Sequence, residues 1–355
     1  MKAYIDRLER TRDLKDAEFR ALLEESAPAD RDYLFARARA VRDRTYGRRV
    51  FIRGLIEFTN FCKNDCRYCG IRRSNPCAQR YRLDKAEILA CCEAGYELGF
   101  RTFVLQGGED PYFTDDRMAD IVSAIRASFP DCAITLSIGE RSRASYERLF
   151  AAGANRYLLR HETADPSHYA RLHPPELSLE NRLRCLRDLK YIVFQTGAGF
   201  MVGSPGQTDE CLLRDFRFLQ KLRPQMMGIG PFLPHRDTPF RDEAPGSEEK
   251  TLRCLAIVRL LLPRVLLPAT TALGTLDGDG REKGMNAGCN VIMPNLSPRS
   301  VRKKYLLYDN KRADGDEAAE GLAALRARMN AAGYEIVVDR GDFPAEEEGG
   351  IPHEP

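Results

Sequence analysis

Apolar positions along the 355-residue chain follow two periods. Between about residues 50 and 293, short β-branched and apolar runs alternate with longer stretches of helical spacing. The strand-like runs are Phe51–Phe58, Thr102–Gln106, Ala133–Ile138, Arg156–Arg160, Thr196–Val202, Met226–Gly230, Val265–Pro268 and Asn290–Met293. Helical spacing fills Lys85–Leu98, Asp115–Ser128, Ser142–Ala152, Leu179–Leu189, Asp209–Leu222 and Glu248–Leu262, and Thr114, Ser178 and Thr208 stand where helix caps belong. Eight strands alternating with helices predict a parallel sheet with right-handed crossovers. Closing that sheet gives an α/β fold of TIM type, a (β/α)8 barrel, whose usual size is about 250 residues. An open doubly wound sheet competes, but no G-x-G-x-x-G follows the first strand.

The flanks read differently. Residues 1–45 carry helical apolar spacing interrupted at Pro28, which predicts a helical preamble covering one end of the barrel. After the barrel, Ser297–Leu307 and Asp316–Ala331 read as helices and Glu335–Val338 as a short strand, with a mobile tail expected over Asp339–Pro355. The expected division is therefore 1–45, a barrel over 46–310, and an extension over 311–355.

Polar residues gather where the predicted strands end. Gln106-Gly107-Gly108-Glu109 follows the second strand, Ser137-Ile138-Gly139-Glu140 the third, Arg160-His161-Glu162 the fourth, Met201 closes the fifth and Thr270-Thr271-Ala272 follows the seventh. In a parallel barrel these ends meet at one mouth, where active sites are built.

Composition narrows the picture. The chain is 43% apolar and 30% charged with a formal net charge of +3, which gives no reason to expect a nucleic-acid partner. Eleven cysteines, an odd number, with a densely charged start and no apolar run long enough to span a bilayer, predict a reduced, cytoplasmic protein without disulfides or membrane contact. Cys91, Cys92, Cys132, Cys185, Cys211 and Cys254 lie in apolar or amphipathic runs and read as small core residues.

Cys62, Cys66 and Cys69 differ. They stand at C-x3-C-x2-C spacing directly after the first strand, with the aromatic Tyr68 before the third. Three thiolates on one loop suit three corners of a 4Fe–4S cluster with the fourth iron open. A structural zinc site needs a fourth Cys or His at similarly short spacing, and none follows. The ordinary alternative is three unliganded thiols.

The remaining candidates each have a bland reading beside the functional one. Gly107-Gly108-Glu109 can bring backbone and a carboxylate close to an ammonium, or can simply turn the chain. Ser137, Glu140, Arg160, Glu162 and Arg182 can bind a carboxylate, an amine or ribose hydroxyls, or form surface ion pairs. Arg160 and Glu162 alternate at a strand end and so point to the same side. Met201 and Met226 suit either an apolar ligand or the core. Thr135 alternates with Ser137 on the third strand, and its hydroxyl suits a small anion.

Longer strings then carry a resemblance. Leu105-Gln106-Gly107-Gly108-Glu109-Asp110-Pro111-Tyr112, Arg156-Tyr157-Leu158-Leu159-Arg160-His161-Glu162-Thr163-Ala164, Gly228-Ile229-Gly230-Pro231-Phe232-Leu233-Pro234-His235, Ala269-Thr270-Thr271-Ala272-Leu273-Gly274-Thr275 and Asn290-Val291-Ile292-Met293-Pro294-Asn295 join the cysteine loop. Together they resemble HydE, the radical S-adenosylmethionine (SAM) maturases of FeFe-hydrogenases, over about residues 45–310. The wider group includes biotin synthase and methylornithine synthase.

The resemblance implies a cluster on Cys62, Cys66 and Cys69, and SAM held by Tyr68, Gln106, Gly107, Gly108, Glu109, Ser137, Glu140, Arg160, Glu162, Arg182 and Met201. It implies a substrate cavity lined by Thr135, Met226, Thr270, Thr271, Ala272 and Tyr308. It further implies reductive cleavage of SAM to a 5′-deoxyadenosyl radical during assembly of the H-cluster's two-iron subsite. The substrate there is a cysteine-bound iron–carbonyl–cyanide complex, and the expected partners are sister maturases and an electron donor. Another radical-SAM reaction of the methylornithine synthase kind, or a non-catalytic iron–sulfur scaffold, are the alternatives. Some HydE proteins hold an accessory cluster on three cysteines after the barrel. Lys311–Pro355 contains no cysteine, so one cluster is expected.

Overall fold

The computed structural model describes residues 1–24, 27–312, 315 and 318–344. Helices α1 (Lys2–Thr11), α2 (Asp16–Leu23) and α3 (Pro28–Tyr46) come first, and Pro28, at the first turn of α3, starts a helix where its missing N–H costs nothing. The first predicted strand is two, β1 (Arg49–Ile52) and β2 (Gly54–Thr59), parted at Arg53. Then follow α4 (Lys85–Glu97), β3 (Thr102–Gly107), α5 (Asp115–Ser128), β4 (Ala133–Ser137), α6 (Arg143–Ala151) and β5 (Arg156–Leu158). An unpredicted short helix, α7 (Pro166–Leu172), precedes α8 (Leu179–Tyr191). The fifth strand also divides, into β6 (Gln195–Ala198) and β7 (Met201–Val202), and α9 (Asp209–Leu222) follows. The sixth divides into β8 (Met226–Met227) and β9 (Gly230–Pro231), before α10 (Glu248–Leu261).

The end of the chain departs further from expectation. Val265–Pro268 forms isolated bridges and no ladder strand. Helices α11 (Thr271–Leu276) and α12 (Gly280–Asn286) follow it, then β10 (Val291–Ile292). The helix expected over Ser297–Leu307 is the single turn α13 (Arg299–Arg302). The last elements are α14 (Leu322–Ala331) and β11 (Glu335–Val337), and residues 316–317 of the helix expected from Asp316 lie outside the described residues.

Helix starts obey local chemistry. Asp84 accepts from the Glu87 N–H while the Glu87 carboxylate accepts in return, and Thr114, Ser142, Asp165, Ser178 and Ser247 each accept from the third N–H of their helix. Thr208 makes no such bond; its hydroxyl lies 3.4 Å from the Cys211 sulfur.

Parallel pairing runs β2-β3-β4-β5-β6-β8. The bridges Met226↔Leu266, Pro268↔Val291 and Leu55↔Asn295 and the β10–β1 ladder close it into a barrel. Along one edge the first strand meets β10 and its continuation to Asn295. Its other edge is shared, with β11 against β1 at the lower end and β3 against β2 above.

That shared edge explains the split at Arg53 and corrects the expected mobile tail. Residues 339–344 cross the barrel floor: Thr102 Oγ1 and Arg156 Nη2 both donate to the Arg340 carbonyl at 2.8 Å, and Arg156 pairs with Asp342 at 2.7 Å. Residues 345–355 lie outside the described residues. Helix α3 packs on α10. The six cysteines expected in the core are all buried.

Candidate active site

Three anchors hold the cysteine loop over the mouth. The Lys63 N–H donates to the Glu109 carbonyl, the Arg67 N–H to the Leu172 carbonyl at the end of α7, and the Gly70 N–H to the Leu307 carbonyl, each at 2.9 Å. Within the loop, Arg80 donates to the carbonyls of Asn60, Ile71 and Arg72, at 2.5, 2.8 and 2.5 Å. The short helix missed in the sequence is thus one of the loop's supports. Tyr68 meets His173 edge-on at 5.6 Å, and His173 stacks on Tyr169 at 3.9 Å. Burial, with Arg182 nearby, pushes the His173 pKa down to about 3, so its ring is neutral.

A cavity of about 280 Å3 lies under the loop. It joins Cys62, Cys66, Tyr68 and Cys69 to Gln106, Gly107, Gly108, Glu109, Ser137, Arg160, Glu162, Arg182 and Met201, and to Thr270, Ala272 and Tyr308. Glycine is required at two of these places. A Cβ on Gly108 would lie 2.2 Å from the Phe61 carbonyl oxygen, so this close approach of strand end to cysteine loop admits no side chain. Gly139, at φ +81°, leaves the space that the Glu109 carboxylate fills.

The polar groups lining the cavity are incompletely paired. Arg160 Nη2 and Glu162 Oε2 lie 3.0 Å apart, yet both are buried atoms without an aligned hydrogen bond, as is Arg160 Nε. Glu109 Oε1 accepts from the Glu140 N–H, while Oε2 has Lys63 at 3.3 Å and no hydrogen bond. Outside that lining, the Tyr169 hydroxyl is also buried without a partner. Glu140 is turned away from the cavity, accepting from Arg182 Nε and Asn181 Nδ2, both at 2.5 Å. Arg182 also donates to the Arg160 carbonyl at 2.7 Å. Burial opposes the Arg182 charge, but Tyr169, Glu140 and Glu109 around it outweigh burial and raise its pKa.

Glu162 reaches this position in a left-handed conformation, φ +64°, unusual for a side chain of its size. Its neighbour His161 points the other way, into the protein. There the Gly199 N–H donates to Nδ1 at 3.3 Å, so the proton sits on Nε2, 3.1 Å from Asp215 of α9. Asp215 also accepts from the Ala164 N–H at 2.6 Å. This buried pair clamps both sides of the strand end that presents Arg160 and Glu162. Nothing in the spacing of His161 and Asp215 along the chain announces it.

Thr135 and Met226 lie deeper, outside the lining of that cavity. The Thr135 hydroxyl is buried without a partner, beside Arg156 in the β4–β5 register. Met226 Sδ lies 3.3 Å from Nη1 of Arg53, whose Nε and Nη2 are buried and unpartnered. Thr271 is half-buried at the start of α11, and Thr270 caps that helix, accepting from the Leu273 N–H at 3.4 Å. Sequence reasoning missed Arg53, Tyr169 and Tyr305. Tyr305 lines the cavity and its hydroxyl lies 3.5 Å from Gln106 Nε2.

Residues 56–219 match the model of the radical SAM superfamily. Over 278 residues, 78% of this chain and 79% of the relative, the sequence is 47% identical to the FeFe-hydrogenase maturase subunit HydE of Thermotoga maritima. The chain belongs to the HydE family of radical SAM enzymes. It is also 30% identical to 3-methylornithine synthase of Methanosarcina acetivorans, over 91% of this chain and 90% of that one. Among solved structures, methylornithine synthase (PylB) superposes with a TM-score of 0.84 at 28% identity, covering 94% of this chain and 97% of that one. The hydrogenase maturase HydG superposes at 0.78 with 20% identity, over 94% and 74% of the two chains, a likeness of fold.

A 4Fe–4S cluster and SAM are the cofactors of this HydE-family chain, and the residues present fit both. No three Cys, His, Asp or Glu side chains among the described residues are close enough to share one metal ion. Three thiols at one end of a cavity suit a cubane, in which each thiolate takes a different iron. Burial raises the Cys62 and Cys66 pKa values and pushes Cys69 up to about 12, so cluster loading must displace protons. The unpartnered carboxylate and guanidinium atoms match the ammonium and carboxylate of SAM.

Proposed function

We propose that this enzyme acts in maturation of an FeFe-hydrogenase, on a cysteine-bound iron–carbonyl–cyanide precursor of the two-iron subsite. It would receive that complex from a sister maturase of the HydG type and electrons from a separate donor. The observation that carries this reading is the 47% identity to a HydE maturase, spread over more than three quarters of both chains.

Cys62, Cys66 and Cys69 hold the cluster in this reading. Glu109 accepts from the SAM ammonium, Arg160 donates to its carboxylate, and Glu162 and Ser137 bond the ribose. Gln106, Gly107, Gly108, Arg182, Met201 and Tyr68 shape the remaining walls, and Glu140 acts by holding Arg182. A reduced cluster held by these three cysteines would supply the electron for reductive cleavage of SAM, the chemistry that the radical SAM family implies. The protein's part is orientation and the exclusion of water from the barrel interior. Thr270, Ala272 and Tyr308 line the path inward, and Thr271, outside the cavity lining, stands between the first two in the chain. Thr135, Met226 and Arg53, whose Nε and Nη2 are unpartnered, would form its end, which suits an anionic substrate.

The test is an H-cluster maturation mixture complete except for its HydE component. Addition of this protein with SAM and reductant is expected to switch on hydrogenase activity. SAM cleavage without activation would sink the hydrogenase reading. It would favour a methylornithine synthase-like rearrangement, a second reading supported by the end-to-end superposition on that enzyme.

A further inference from the structure

The cluster must be reduced from outside, and the cavity side of its three thiols faces the SAM residues. An electron therefore enters through the outer face of the cysteine loop. That face is strongly basic. Residues 63–80 carry five cations and one acid, a balance of +4 where the whole chain nets +3. The single acid, Asp65, is already held by Arg72 at 2.7 Å and by Ser74. Lys63, Arg67 and Arg73 are exposed, and Arg73 makes no ion pair or side-chain hydrogen bond among the described residues.

The basic surface continues off the loop. Arg67 Nη1 lies 3.4 Å from the Arg171 carbonyl, which brings the exposed Arg171 alongside. On the other flank, a cleft of about 330 Å3 separates Gly70 and Cys77 of the loop from Lys303 and Lys304, with Asp237 as the acid in its lining. The Lys304 carbonyl is tied back to the loop by Asn60 Nδ2 at 2.8 Å, so this lysine is fixed beside the cluster rather than carried on a loose strand. Lys63, Arg67, Arg73, Arg171 and Lys304 on and beside the cysteine loop form an electrostatic funnel, which raises encounter rates with an oppositely charged partner.

We propose that this face is the docking surface for an acidic one-electron carrier protein. The inference rests on the radical-SAM reading above. One electron leaves the carrier and the cluster gains it, with no bond made or broken. The loop's cations orient the carrier, and the Arg73 and Lys304 side chains act through long-range attraction only, since neither reaches the SAM cavity.

The test pairs binding with turnover. Affinity for an acidic flavodoxin is measured by calorimetry at low and high salt, for the wild type and for the Arg73→Glu/Lys304→Glu double variant. 5′-Deoxyadenosine formation is then followed with reduced flavodoxin and, separately, with dithionite. The double reversal is expected to weaken flavodoxin binding at low salt by about tenfold or more, and to lower flavodoxin-driven product by a similar factor. Dithionite-driven product should stay at the wild-type level, because a small reductant needs no docking surface. Unchanged flavodoxin affinity in the double variant, or equal losses with both reductants, overturns the proposal. A wild-type affinity that does not fall with salt overturns it too. Absence of product with dithionite in the wild type would count against the radical-SAM reading, while the calorimetry still judges the docking surface on its own.

Discussion

Two arginines on one barrel strand, Arg156 at the floor and Arg160 at the mouth, face the interior and are treated oppositely by the chain. Arg156 donates to Asp342 and to the Arg340 carbonyl, and its Nη1 reaches Thr102 at 3.2 Å. Among the described residues the Arg160 side chain has Glu162 alone as a polar partner, at ion-pair distance, and its Nε and Nη2 go without hydrogen bonds. A buried polar group left unmatched costs about 1–3 kcal/mol. The floor lowers that cost by folding the C-terminal segment across it, which matches both terminal nitrogens of Arg156 and leaves its Nε unpaired. The mouth bears it at Arg160, Glu162 and Glu109, all around one cavity. The difference teaches where the structure is complete by itself and where it is complete only with ligands.

The sharpest break of this contrast is at the cysteine loop. Cys66→Ser removes one proposed cluster ligand and is expected to abolish the iron–sulfur absorbance of the reconstituted protein and reduce 5′-deoxyadenosine to background. The apo protein's melting should be unchanged. A variant that keeps both cluster and turnover would move the site elsewhere.

Glu162→Gln keeps shape and removes charge at the mouth. SAM binding, followed by titration, should weaken about 10- to 100-fold, the range for a hydrogen bond to a charged group. Wild-type affinity would take Glu162 out of the SAM site.

Asp342→Ala probes the floor, where stability and not SAM affinity should respond. Burial alone would raise the Asp342 pKa, but the adjoining Arg156 and Arg340 lower it below the ordinary carboxylate value. A depressed folded pKa contributes stability above the unfolded value of about 4, lost as pH falls through the folded pKa. Solvent screens this half-exposed side chain, so the expected cost at pH 7 is about 1 kcal/mol, vanishing in acid. Thermal melts at pH 7 and pH 3 check the sign; a cost that persists in acid refutes the ion-pair origin.

Thr135→Val should have the smallest effect on stability and the opposite sign. Its hydroxyl is buried and unmatched, so a methyl in its place should stabilise the apo protein by up to about 1 kcal/mol, while hydrogenase activation falls. A lower melting temperature would place Thr135 with the floor, among groups the chain satisfies itself.

The parallel barrel and the family were legible from the sequence alone, and so was the spacing of the cysteine loop, because these rest on local signals. Period-two and period-3.6 apolar runs, cap residues and short-range cysteine spacing all act within a few residues of one another. Glu109, Arg160 and Glu162 were legible as polar residues at strand ends. Tertiary structure decided what no local pattern encodes. It placed β11 against β1 and residues 339–344 under the barrel, and it turned Glu140 toward Arg182. It set the Asp215 carboxylate of α9 against His161, and brought Arg53 and Tyr305 to the interior. Each of these depends on partners far apart in the chain, chosen by the geometry of closure and by the need to match buried charge. The same closure leaves the mouth's buried atoms unmatched in the protein alone, so the barrel's ends differ although one strand pattern built both.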